Sequence, residues 1–236
     1  RHLKAEPVAD VDPLVRLYIL REGRWQDFDN WPPAGTTPTD YFLHSGGRAN
    51  SRFGDGTLTV SVPEREHPDL YIYDPVSPVP GHGGHSCCFE SVAPMGPANQ
   101  ETREINNGVL VYTSQPLDAP LYLIGDVSAT IYAATNAVDT DYAVRICVVD
   151  SAGVSTNLQE GIVRARYRDS LSEPSLLEPN TIYRYEIPIG PVGVRLEPGE
   201  RRVALDPGPA AAKADAEHLR QSALAGHRRR LHSASL

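Results

Sequence analysis

Cysteine and methionine are scarce in this chain, with three of one and one of the other in 236 residues. An odd cysteine count argues against a disulfide framework. Cys87 and Cys88 are adjacent, and a bond between neighbours closes a strained ring. Cys147 lies in the apolar run Val144-Arg145-Ile146-Cys147-Val148-Val149 and reads as a small buried hydrophobe. These features favour a reducing, cytoplasmic setting. No run approaches the roughly 18 apolar residues of a membrane helix, and the first residues lack a charged, apolar, small-residue leader; no membrane partner is expected. Positive charge is also short, 22 Lys and Arg against 30 Asp and Glu for a net −8, which excludes a general nucleic-acid binder. Finally, no G-x-S-x-G occurs, so the sequence offers no nucleophile elbow and no residue is assigned a catalytic role. The opening Arg1-His2-Leu3-Lys4 is no natural initiator, and the chain reads as a fragment or processed piece.

Glycine and proline are plentiful, 19 and 21 residues, and suit many turns between short strands. Runs with strand character lie at 15–20, 39–44, 58–62, 69–73, 109–112, 121–124, 127–133, 142–149, 161–168 and 181–187. Residues 58–62 and 127–133 alternate cleanly, whereas Trp25 to Pro33 reads as a loop. A long proline- and glycine-rich loop spans Pro75 to Asn99, a length that usually marks either function or poor order. This series predicts an all-β fold, a jelly-roll (galactose-binding-like) sandwich of two antiparallel sheets. Residues 1–13 are expected to be the end of a helix and a linker, 14–206 the sandwich, and 207–236 a tail. The tail is alanine-rich with Arg228-Arg229-Arg230 and good helix propensity. It is expected to be helical or disordered, and dispensable.

Few residue clusters carry chemistry. Ser45 beside His44, and Ser51, sit near turn residues without the strand-elbow-helix context of a nucleophile; they read as loop serines bonded to local backbone. Gly81-His82-Gly83-Gly84-His85-Ser86-Cys87-Cys88 holds zinc-type donors, with His82, His85 and Cys87 the candidates. Their spacing is poor and no second cluster follows, so neither a metal nor a cofactor is expected. Asp139, Asp141 and Asp150 are spaced like calcium ligands but lack the glycine and distal glutamate of an EF-hand loop, and read as turn-closing carboxylates. Tyrosines, 11 in all, are expected to be half-buried strand residues, with sugar stacking the alternative.

Several motifs recur together in a known order. Val15-Arg16-Leu17-Tyr18-Ile19 is followed by Trp25 and Trp31-Pro32-Pro33. Tyr73-Asp74-Pro75 runs into Pro78-Val79-Pro80 and Gly83-Gly84. Then come Val109 to Ser114 with Pro116-Leu117, Asp139-Thr140-Asp141, Asp150, Gly161-Ile162 and Arg164-x-Arg166-Tyr167-Arg168. This series, from Arg1 to about Leu205, resembles the C-terminal β-domain of the X-Pro dipeptidyl-peptidase and cocaine esterase family of serine hydrolases. The resemblance implies a jelly-roll domain packed against an α/β-hydrolase catalytic domain that carries the nucleophile, acid and histidine. It implies that Gly83, Gly84, Cys87, Cys88 and Phe89 lie beside the substrate's acyl pocket, and that the whole enzyme cleaves small esters or peptides. On this reading the chain alone is inactive. The sequence departs from the family at Asn106-Asn107-Gly108, where an arginine and an aspartate are usual. It departs again after Arg201-Arg202, where an apolar final strand gives way to the alanine-rich tail, so an unpaired sheet edge is expected. The alternative is a stand-alone jelly-roll module that binds a carbohydrate or a protein.

Overall fold

A computed structural model describes residues 13–74, 76, 78–85, 94–204 and 230–235. The elements in chain order are β1 (Val15–Ile19), β2 (Arg24–Phe28), β3 (Thr37–His44), β4 (Thr57–Thr59), α1 (Glu101–Glu104), β5 (Tyr112–Thr113), β6 (Leu121–Ala133), β7 (Asp141–Val149), β8 (Ser155–Arg164), β9 (Tyr183–Leu196), β10 (Arg201–Ala204) and β11 (Arg230–Ser235). A 3-10 turn, Ala165–Tyr167, follows β8. The fold is all-β, as the turn-rich composition predicts. Hydrogen bonds join the strands into one nine-stranded sheet, in the order β8-β7-β10-β5-β4-β3-β11-β6-β9, and one hairpin, β1-β2.

The sheet is curled, so that its two end strands, β8 and β9, pack against each other. Their approach is close. A Cβ on Gly161 of β8 would lie 2.2 Å from the Pro188 carbonyl oxygen of β9. Only glycine lets two backbones meet at that distance. The curl encloses one core, which Val144, Ile146 and Val148 of β7 share with Tyr185, Ile187 and Ile189 of β9 and with Leu43, Leu58, Leu123 and Val127. Tyr142 and Tyr185 fill the centre, ring centroids 4.5 Å apart and tilted by 44°. Burial pushes both phenols up, far from any ionisation near neutral pH.

The hairpin β1-β2 docks on the outside of β9. Leu20 donates its N–H to the Gly193 carbonyl at 2.8 Å and accepts from the Arg195 N–H at 3.2 Å. Leu17 lies over Gly193, where a Cβ would meet its Cδ2 at 2.5 Å.

Several sequence expectations change. Residues 24–28 are a strand, not a loop. Residues 69–73 form no strand, although Tyr-Ile-Tyr alternates; Leu70 instead gives its carbonyl to the Asn50 side chain at 2.8 Å. The two runs around 121–133 merge into the single strand β6. The run expected at 161–168 begins earlier, at Ser155, and ends in the 3-10 turn. The largest change lies in the tail. Residues 230–235 form β11, paired antiparallel with β3 on one side and β6 on the other, Arg230 opposite Phe42 and Thr130. A strand in the middle of the sheet therefore stands where a helical or disordered tail was expected. The alanine-rich stretch at 210–225 lies outside the described residues, as do residues 1–12.

Candidate functional site: the anchored glycine loop

β7 is two-faced because its side chains alternate. Val144, Ile146 and Val148 enter the main core, while Cys147 turns to the opposite face and packs with Val109, Val111, Val79 and Val149. Cys147 is thus a small buried hydrophobe, as its apolar run predicts. Arg145 shares that opposite face. The described parts of the long loop, residues 78–85 and 94–99, lie over it.

A β-bulge shapes the floor beneath the loop. Ile146 pairs with Gln159 and Cys147 with Asn157, so Leu158 has no partner in the register. A bulge inserts one residue and reverses the alternation beyond it. Asn157 and Glu160, three apart, therefore share the face of Cys147 and Arg145. Without the bulge one of them would point into the core.

Four polar side chains on this floor hold both legs of the loop. Arg145 donates to Glu160 Oε2 through Nε at 2.9 Å and Nη2 at 2.5 Å, and to Gln100 Oε1 through Nη1 at 2.5 Å. Glu160 Oε1 accepts the backbone N–H of His85 at 2.8 Å. Gln100 donates to the His82 and Ala98 carbonyls at 3.0 and 2.9 Å and to Asn157 Oδ1 at 3.0 Å. Asn157 accepts the Ala98 N–H at 2.7 Å and donates to the Gly96 carbonyl at 3.2 Å. The two legs are clasped by paired bonds between Gly84 and Gly96, 2.8 and 3.0 Å. Arg103 of α1 adds bonds to the Pro80 and Gly81 carbonyls at 2.6 and 3.2 Å. Burial raises the Glu160 carboxyl, but the His85 amide and the Arg145 guanidinium outweigh it and hold it below its ordinary value.

Gly83 and Gly84 have φ of +71° and +70° in succession. A Cβ on Gly83 would meet the Gly96 carbonyl oxygen at 2.5 Å, and one on Gly84 would meet Glu160 Oε1 at 2.1 Å. Both conformation and space demand glycine here. The pair thus forms the clasp at the loop's base. Cys87, Cys88 and Phe89 lie outside the described residues.

The other candidates do not converge. His82 and His85 meet this network through their backbone, and Cys87 is outside the described residues. Among the described residues no three His, Cys, Asp or Glu side chains are grouped to hold a metal. The His44 ring bonds Glu66 at 2.6 Å, the Ser61 carbonyl at 2.9 Å and Thr59 Oγ1 at 3.0 Å. Ser45 Oγ donates instead to Asp69 at 2.7 Å, beside the Tyr112 hydroxyl at 2.6 Å. No serine–histidine relay is assembled there. Asp139 receives the Arg166 backbone and side chain at 3.0 and 2.6 Å, and Asp141 the Arg164 fork at 2.8 and 3.0 Å. Asp150 closes a turn by accepting the Ala152 and Val154 N–H groups, each at 2.9 Å. The Asp139/Asp141 and Arg164/Arg166 motifs are therefore braces between the two ends of the β7-β8 hairpin. Arg168 lies 4.3 Å from the ring centroid of Tyr183.

A groove of about 820 Å³ runs along the β8-β9 seam, with Tyr132, Tyr167, Arg168, Arg184 and Glu186 in its lining. No helix among the described residues is long and apolar enough to cross a membrane.

Comparison with known proteins agrees with the fold. Residues 8–205 match the model of the X-Pro dipeptidyl-peptidase C-terminal non-catalytic domain. The chain is 37% identical over 202 residues to a cocaine esterase of Rhodococcus sp. (strain MB1 Bresler), covering 85% of this chain and 35% of the relative. An aminopeptidase from a marine sediment Thaumarchaeota archaeon superposes with a TM-score of 0.71 at 23% identity, over 98% of this chain and 39% of that one. An α-amino acid ester hydrolase superposes with a TM-score of 0.67 at 20% identity, over 99% of this chain and 41% of that one. The sequence thus spans well under half the length of each of these proteins.

Proposed function

Because the chain belongs to the X-Pro dipeptidyl-peptidase C-terminal non-catalytic domain family, we propose that it serves a serine ester or peptide hydrolase as the β-domain packed against an α/β-hydrolase catalytic domain. In this role it supplies the domain interface and one wall of the substrate pocket, and no catalytic residue. The observation that carries the reading is the anchored loop. Two legs, clasped at Gly84 and Gly96 and bonded to four polar side chains on β7, β8 and the start of α1, fix the described ends of the segment whose sequence includes Cys87, Cys88 and Phe89. A pocket wall needs an apolar tip on a fixed base, since a mobile wall discriminates poorly between acyl groups. Cys88 and Phe89 are the residues we assign to the acyl contact, with Gly83 and Gly84 as the turn that delivers them.

Substitution of the tip in the full-length hydrolase tests this. Phe89→Ala and Cys88→Ala should raise KM for longer acyl esters with little change in kcat. Unchanged selectivity along an acyl-chain series would refute the pocket-wall role. The 236-residue chain alone should not turn over short p-nitrophenyl esters above a buffer control. Turnover that survives purification and is blocked by a serine-directed inhibitor would refute the non-catalytic assignment.

A second reading, a carbohydrate- or protein-binding module, is favoured by the β8-β9 groove, where Tyr132 and Tyr167 accompany charged side chains. Reproducible glycan binding that Tyr167→Ala abolishes would support it.

A further inference from the structure

We infer that Glu160 is the positioning residue of the glycine loop, its carboxylate fixing where the Gly83–His85 backbone leaves the sheet. The consequence for catalysis rests on the pocket-wall reading above; the consequence for the loop does not.

The carboxylate is held from one side and holds on the other. Arg145 clamps Oε2 by two donors, leaving Oε1 aimed at the His85 N–H. Both side chains are largely sequestered, at 11% and 22% exposure, so water competes weakly for these bonds. Glu160 also acts by its bulk. It occupies the space a side chain at position 84 would need, which is why that position is glycine at φ +70°. Asn157 and Gln100 hold the returning leg at residues 96 and 98, and Gln100 also reaches the His82 carbonyl on the outgoing leg, three residues before the amide that Glu160 takes. Arg145 joins the two anchors by binding Gln100 and Glu160 at once. Glu160 is thus the side-chain tie on the outgoing leg at residue 85, one residue before the stretch that leads to Cys87 and Phe89. The bulge at Leu158 turns Glu160 to this face, so the anchor depends on a local irregularity of β8.

Hydrogen exchange on Glu160→Gln and Glu160→Ala in the 236-residue chain tests the anchor. Glu160→Ala should speed exchange of the His85 and Gly84 amides about tenfold or more, with the amides of Val144 to Val148 unchanged as a check on the fold. Glu160→Gln keeps an acceptor for His85 but loses the charge facing Arg145, and should fall between. Unchanged protection at residues 84 and 85 in both variants overturns the inference, as does an equal loss across β7, which would make Glu160 a general stabiliser. In the full-length hydrolase the same variants should raise KM for long acyl substrates several-fold, with kcat held. Faster exchange with an unaltered KM keeps the anchor and refutes the pocket-wall reading instead. If Glu160→Ala fails to fold, Glu160→Gln alone decides by the same comparison of amides.

Discussion

Arg21 donates two hydrogen bonds to the carboxylate of Glu200, at 2.8 and 2.5 Å, across 179 residues of sequence. The fork fastens the turn after β1 to the turn between β9 and β10. Glu200 is 5% exposed and also accepts the Glu197 N–H at 2.7 Å. Removing the guanidinium leaves a buried charge with one neutral donor. Arg21 itself is partly open to water, so the full cost of breaking a buried pair does not apply. Arg21→Ala should destabilise the fold by about 1–3 kcal/mol in urea unfolding. Arg21→Ala with Glu200→Gln should recover part of that loss; failure to do so would show that the pair is not coupled.

Removal of residues 230–235 should be costly. β11 lies between β3 and β6, so its loss strips both of a partner and opens two edges inside the sheet. The thermal midpoint should fall by more than the roughly 2–4 °C that 1 kcal/mol represents at this size, and the truncated chain should self-associate through its bare edges. A midpoint unchanged by the truncation would return 230–235 to the status of a dispensable tail.

Gly161→Ala should be among the most damaging small substitutions. The added methyl would meet the Pro188 carbonyl oxygen at 2.2 Å, backbone against backbone. The β8-β9 seam must part to admit it, at a cost of about 1–3 kcal/mol, the usual range for overpacking. Gly81→Ala, with nothing within 4 Å of the new atom, is the matched control and should be near neutral. Equal stabilities for the two variants would contradict the closed seam.

Acid should weaken the loop anchor. Burial raises the Glu160 carboxyl, but the His85 N–H and Arg145 lower it further, so its folded value lies below the ordinary one. A carboxyl shifted in this direction contributes stability above its unfolded value of about 4.3, and the contribution is lost as pH falls through the folded value. Stability of the native chain should therefore drop more steeply below about pH 4 than that of Glu160→Gln, with the two curves closest at the acid end. Urea midpoints measured across that range check the slope; parallel curves would show that Glu160 gains nothing from its partners.

Much of this fold is legible in the sequence where one face of a strand is buried. β7 alternates and was expected within one residue of its bounds, because Val144, Ile146 and Val148 all enter the core. Pattern reading fails where pairing and not burial makes the strand. β2 is mostly exposed and pairs only with β1, so Arg24 to Phe28 carries no periodic signal. Residues 69–73 err in the other direction. Leu70 and Ile72 are apolar but exposed, and the segment is held through Asn50 and Asp69. In the site, Gly83 and Gly84 stand out by their composition and by the family motif. Their anchors Gln100, Arg145, Asn157 and Glu160 do not, since they come from separate segments and a bulge decides which way two of them face. An Arg and a Glu at 145 and 160, on opposite sides of one hairpin turn, is the one signal that could have marked the pair.

β11 also sets a schedule for the molecule. Chain growth delivers β3 and β6 long before residues 230–235, yet in the sheet β11 is the strand that joins the two. Until that segment leaves the ribosome, the sheet exists as two halves with facing open edges, a state that invites capture by chaperones or by another nascent copy. Closure then links residues separated by most of the sequence, which makes it a slow, late step. The sheet closes only once residues 230–235 have been made.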